Sequence, residues 1–115
     1  MILTSIVLFL AAAIFGLYMA TRIFGGHRPP WSAVIVHGAL AASGLVVLLY
    51  ALFVGARPAP LMVGAVLLVI AALGGFFMFS YQLRNAAPPK AVVVVHALAA
   101  VLGVVCLLGN AIGVV

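Results

Sequence analysis

Hydrophobic positions run along this chain in four long blocks, broken only by short clusters of Gly, Pro and basic residues. The blocks cover residues 2–23, 31–54, 61–83 and 90 to about 114. Each reaches the roughly 20 helical residues needed to cross a hydrocarbon core of about 30 Å. The interruptions at 25–30, 55–60 and 84–89 are too short to hold further structure. The pattern predicts an all-α integral membrane protein, an up-down-up-down four-helix bundle, with one domain over residues 1–115.

Composition sharpens this picture. The chain is 70% hydrophobic and has five Lys or Arg and no Asp or Glu, too few charges to coat a soluble domain of 115 residues. Lipid is therefore the expected solvent. The first block lacks a basic leading region and outruns a signal-length core, so it reads as a retained span and not a secretory leader. Arg22 and Arg28 flank the first break and Arg84 and Lys90 the third, against Arg57 alone at the second. The positive-inside bias then predicts loops 24–30 and 84–89 in the cytoplasm and both termini opposite, in a bacterial inner membrane.

The four blocks form two pairs. Shifting the chain by 59 positions, without gaps, lays residues 5–50 on 64–109 with 16 identities in 46 positions. Apolar residues inflate such a count, but Pro29-Pro30 on Pro88-Pro89, His37 on His96, Gly16 on Gly75 and Gly44 on Gly103 are rarer coincidences. Two tandem helical-hairpin repeats entering the membrane with the same orientation are expected, related by an axis along the membrane normal. Each Pro-Pro stands where a helix begins, because there the missing N–H costs nothing.

His37 and His96 are the candidate chemistry. An ionisable side chain within a span is costly and faces the protein interior, which makes it a functional candidate. Ala41 and Gly44 follow His37 at i+4 and i+7, and Ala100 and Gly103 follow His96, so each imidazole looks along a strip of small residues. Such strips also serve simple close helix packing. The second and fourth helices of this bundle lie on a diagonal, where the imidazoles are expected to stand too far apart to meet. A flat macrocycle with a central iron fits such a gap. The expectation is one haem b ligated by His37 and His96, lined by Ala41, Gly44, Ala100 and Gly103. Arg22, Arg28, Arg84 and Lys90 would face its propionates.

On this pair of histidines the chain resembles the small four-helix b-type cytochromes and the haem-bearing membrane anchors of respiratory enzymes. It departs from the two-haem cytochrome b pattern, in which each ligand-bearing helix supplies two levels of histidine; here each supplies one. The resemblance implies a one-electron carrier and not an enzyme, since both axial positions are filled. It also implies membrane lipids plus a quinone, a redox protein or a larger respiratory or photosynthetic complex as partners, with homo-oligomerisation open.

Other readings compete. A cofactor-free accessory subunit would use the small-residue faces for packing alone. Copper could draw on Met19 and Met78 beside the histidines, although methionine is more often core filler. Zinc lacks carboxylates and clustered thiols, because Cys106 is the single cysteine. Coupled transport lacks an acidic relay, hydrolysis lacks an acidic partner for any Ser or Thr, and nucleic acid lacks a basic surface.

Overall fold

A computed structural model describes all 115 residues. Four helices follow one another with no strand: α1 (Ile2–Phe24), α2 (Trp31–Val54), α3 (Ala59–Leu83) and α4 (Lys90–Ala111). All four are long and apolar enough to cross a membrane, with mean hydropathy over their best windows from 2.1 to 2.8. The molecule is 42 Å along its longest axis, close to the roughly 40–45 Å of a bilayer with its headgroups.

Helix ends differ slightly from the sequence-based bounds, for local reasons. The third helix begins at Ala59 because Pro60 sits in its first turn, where proline is tolerated. The fourth stops at Ala111, ahead of Gly113 at φ +79°. Pro30 and Pro89 are the N-caps of α2 and α4, in extended or near-extended backbone that the ring favours.

The outside is apolar, and the inside combines large apolar and small side chains with the two buried polar ones, Ser5 and Gln82. Leu3, Val7, Ile14 and Leu17 on α1 are exposed, and Leu73 and Phe76 on α3, whereas Ser5 and Gln82 are buried. This is the distribution expected when lipid, not water, surrounds a bundle.

α1 packs chiefly on α2 and α3 on α4, with thinner contacts between α1 and α4 and between α2 and α3. Within each pair the helices run antiparallel. Seven residues back along α1, from Ala12 to Ser5, is seven forward along α2, from His37 to Gly44. Buried positions recur 59 residues apart: Ser5 and Gly64, Phe9 and Leu68, Ala12 and Ala71, Gly44 and Gly103, Leu48 and Leu107.

The two basic turns are built alike. His27 N–H returns to the Arg22 carbonyl and Ala86 N–H to the Tyr81 carbonyl, both at 2.9 Å. The left-handed residue of each turn is Gly26 (φ +85°) or Asn85 (φ +55°), the residue types that best tolerate that region. Gln82 Nε2 donates to the Pro29 carbonyl at 3.0 Å and Arg28 to Asn85 Oδ1 at 3.2 Å, so both turns share one end. The opposite end holds the apolar core of Ile6, Phe9, Leu48, Leu52, Leu61, Ala65, Leu68 and Leu107.

Candidate functional site

The site lies between the basic turns and the apolar core. Pro30 and Pro89 fix where α2 and α4 start, and His37 and His96 follow seven residues later in each case. At the α-helical rise of about 1.5 Å per residue this sets both imidazoles some 10 Å inside the helix start.

Each ring is fastened by the helix it packs against. His37 donates Nδ1–H to the Ala12 carbonyl of α1 at 2.8 Å, and His96 donates Nδ1–H to the Ala71 carbonyl of α3 at 2.7 Å. A carbonyl oxygen can only accept, so both bonds fix the proton on Nδ1. Nε2 of each neutral ring is then a bare acceptor, and it has no hydrogen-bond partner within the chain.

Glycine makes this seating available. A Cβ on Gly16 would stand 3.0 Å from His37 Cε1 and 3.3 Å from Nδ1, a tight contact that the ring could relieve only by shifting a few tenths of an ångström. The equivalent Gly75 leaves 3.4 Å to His96 Cε1, and Gly74 leaves 3.6 Å to His96 Cβ. Nε2 of His37 is the more distant ring nitrogen from α1, 3.9 Å from that same point.

The two rings face one another across the bundle although α2 and α4 are not neighbours in the packing. Their centroids are 6.1 Å apart and their planes inclined by 68°. The expectation that the imidazoles stand too far apart to meet is therefore corrected. They reach inward past the backbone separation, because Gly16, Gly74 and Gly75 let each ring lie against its neighbouring helix.

A metal held from both sides is a test of this distance. A metal–imidazole bond of about 2.0 Å on each side, with each ring centre roughly 1 Å further back, separates the centres by about 6 Å. The observed 6.1 Å agrees with that sum, although an ordinary edge-to-face ring pair falls in the same range. With each Nδ1–H engaged by a carbonyl, the two neutral rings turn only acceptors to one another and cannot hydrogen-bond directly. The pair fits a ligand set with both outer nitrogens held by carbonyls, the usual support for metal-binding histidine. No group of three or more His, Cys, Asp or Glu side chains occurs, so no zinc-type cage is present.

The remaining expected site residues divide. Ala41 and Ala100 are half-buried near the rings in sequence. Gly44 and Gly103 belong to the helix seams: a Cβ at Gly44 would meet Phe9 and Leu8 at 3.2–3.3 Å, and one at Gly103 would meet Leu68 at 2.7 Å. The small strip is thus the face on which α2 rests on α1 and α4 on α3. Its second residue is taken up by packing, and the expected lining by Gly44 and Gly103 is replaced by the floor of Gly16, Gly74 and Gly75.

The basic residues divide as well. Arg22 bonds the Arg28 carbonyl at 3.0 Å, and Arg28 reaches across to Asn85. Arg84 folds back on its own helix, bonding the Ser80 carbonyl at 3.1 Å and lying 4.5 Å over the Tyr81 ring. Lys90 lies 5.9 Å over the Phe24 ring. All four stand at the histidine end, and only Arg22 and Arg28 are joined in one network.

Sequence reasoning missed the carbonyls of Ala12 and Ala71 and the glycine floor. The alignment of Ala12 with Ala71 and of Gly16 with Gly75 was their signal. Two grooves open on the outer surface, about 380 Å³ beside Tyr18 and Ser32 and about 470 Å³ beside Phe53 and Arg57; neither is lined by His37 or His96. Comparison with known proteins gives no matching family model, curated protein or solved structure.

Proposed function

We propose that this chain is a membrane-embedded one-electron carrier that holds one haem b between His37 and His96. Its fold is then an up-down-up-down bundle of two tandem hairpin repeats, with the ligands related by the axis between the repeats. The observation that carries the reading is the matched fastening of the rings: Nδ1 of each on an alanine carbonyl 25 residues earlier, Nε2 of each left as an acceptor.

Bound there, haem would supply reversible one-electron chemistry, held by His37 and His96. The chain's residues do the rest. The Ala12 and Ala71 carbonyls hold ring orientation and keep the proton off Nε2. Gly16, Gly74 and Gly75 leave the rings room to seat against their helices.

The two basic turns face the cytoplasm in this reading, and the termini the other side, of a bacterial inner membrane. An off-centre site at one face transfers electrons to a partner at that face, a quinone, a redox protein or a larger membrane complex. A second reading, a cofactor-free accessory subunit, draws on the small-residue seams at Gly44 and Gly103.

Absorption spectra separate the two. Protein purified in mild detergent, with haem supplied during expression, is expected to be red, with a Soret band and the reduced α-band of haem b in about one-to-one ratio to chain. A colourless preparation that takes up no haem on addition would favour the accessory subunit.

A further inference from the structure

Arg57 is the one Lys or Arg that lies away from the basic end, and the end of its own helix holds it in place. Its Nε donates to the Leu52 carbonyl at 2.7 Å and its Nη2 to the Phe53 carbonyl at 3.2 Å, which ties it to the last turn of α2. Both acceptors are neutral. They use two of the five guanidinium N–H groups, and the chain has no Asp or Glu to take the others. The residue is exposed, so its charge is open to an anion at the membrane surface.

Arg57 also stands at the mouth of a groove of about 470 Å³ between α2 and α3, in which it is the only polar lining residue. On α3 the lining runs from Met62 to Ile70, about 12 Å at the helical rise of roughly 1.5 Å per residue. Half of a hydrocarbon core of roughly 30 Å is about 15 Å, so the groove follows most of one leaflet from its headgroup side inward. Val66 and Val69 on its rim are exposed, which opens it sideways to lipid. Its floor is Ala65, where the other repeat has the larger Ile6 in the same core. A cation at headgroup level and an apolar trough one leaflet deep together match a single kind of molecule.

We propose that this groove binds one anionic phospholipid, with an acyl chain lying between α2 and α3 and the headgroup phosphate on Arg57. The guanidinium suits phosphate oxygens because it presents parallel donors to them. A lipid without net charge fills the trough and leaves the charge of Arg57 uncompensated, and free phosphate meets Arg57 and leaves the trough empty. The site rests on membrane insertion alone and is independent of haem.

Native mass spectrometry of the full chain, released from neutral detergent with equal amounts of phosphatidylglycerol and phosphatidylcholine of the same acyl chains, tests this. The wild type is expected to retain phosphatidylglycerol in preference, in one-to-one ratio to chain, and inorganic phosphate is not expected to displace it. Arg57→Gln is expected to lower the preference about fivefold, the worth of one cation near an anionic membrane surface. Val69→Phe fills the groove from its exposed rim and is expected to lower retention of phosphatidylglycerol with the charge intact. Leu73→Phe, equally apolar and exposed on α3 but outside the groove, is expected to change nothing. Circular dichroism confirms that each variant keeps its helices. Equal retention of the two lipids by the wild type, which is annular contact only, would overturn the site. So would displacement by inorganic phosphate, an undiminished preference in Arg57→Gln, or a lipid-free dimer that Val69→Phe disperses, which would give the groove to a second copy.

Discussion

The two helix pairs solve one problem identically and another differently. Each imidazole is fastened the same way, with His37 Nδ1 on the Ala12 carbonyl at 2.8 Å and His96 Nδ1 on the Ala71 carbonyl at 2.7 Å. Seven residues further into the seam they part. Ser5 Oγ donates to the Gly44 carbonyl at 3.0 Å in the first pair. In the second, Gly64 occupies the serine's place, and a Cβ there would be 3.0 Å from the Gly103 carbonyl. Phe9 fills the first seam where Leu68 fills the second. Close approach of two helices can be reached by a hydroxyl or by bare backbone, so packing admits alternatives. The seating of each imidazole on an alanine carbonyl is the same in both pairs.

The deepest pair is where the two halves should respond alike. Leu48 and Leu107, 59 positions apart, are both 0% exposed and share one core. Leu48→Ala and Leu107→Ala are each expected to destabilise by about 2–4 kcal/mol in detergent-titrated unfolding, since the cavity term persists in an apolar solvent. A difference above about 1.5 kcal/mol between them would break the equivalence of the two pairs at the core.

The glycines of the seams should respond unequally. A Cβ on Gly103 falls 2.7 Å from Leu68 Cγ and 3.2 Å from the Gly64 carbonyl, whereas the nearest atoms to one on Gly44 are those of the Phe9 and Leu8 side chains at 3.2–3.3 Å. Gly103→Ala is expected to cost about 1–3 kcal/mol, the range of overpacking, and Gly44→Ala less. The reverse order in the same unfolding assay would contradict the close approach of α3 and α4.

At the site the asymmetry turns the other way. Gly16→Ala forces His37 to shift, at 3.0 Å, while Gly75→Ala meets His96 at 3.4 Å, ordinary contact. Gly16→Ala is expected to lower haem affinity on the order of tenfold, as displaced ligand support does, and Gly75→Ala by clearly less. Equal affinities in haem titration would remove the glycine floor from the account. The smallest effect is Ser5→Ala, about 0.6 kcal/mol, the mean for hydrogen bonds between membrane helices. A loss beyond about 2 kcal/mol would show that the first seam depends on Ser5 far more than the second depends on Gly64.

Much of this was legible in the sequence. Four apolar blocks and two Pro-Pro breaks place the helices within a few residues, because span length and proline chemistry are local. The histidine pair was legible from the 59-residue spacing. The carbonyls of Ala12 and Ala71 were not, since every residue carries one and only the register of α1 on α2 selects these. Gly44 and Gly103 were read as lining because i+7 shares a face with the histidine. That face is the seam itself, and helical periodicity does not tell which neighbour it meets. Arg84 was grouped with the other cations, although Ser80 and Tyr81 one turn earlier already offer it partners.

The central claim is that both imidazoles bind one iron through Nε2. Electron paramagnetic resonance of the oxidised, haem-loaded protein addresses it most directly, on the wild type beside His37→Ala and His96→Ala. A low-spin bis-imidazole signal in the wild type, converted to high spin in each single variant, is the result expected. Low-spin bis-imidazole signal persisting in either variant would contradict the pairing.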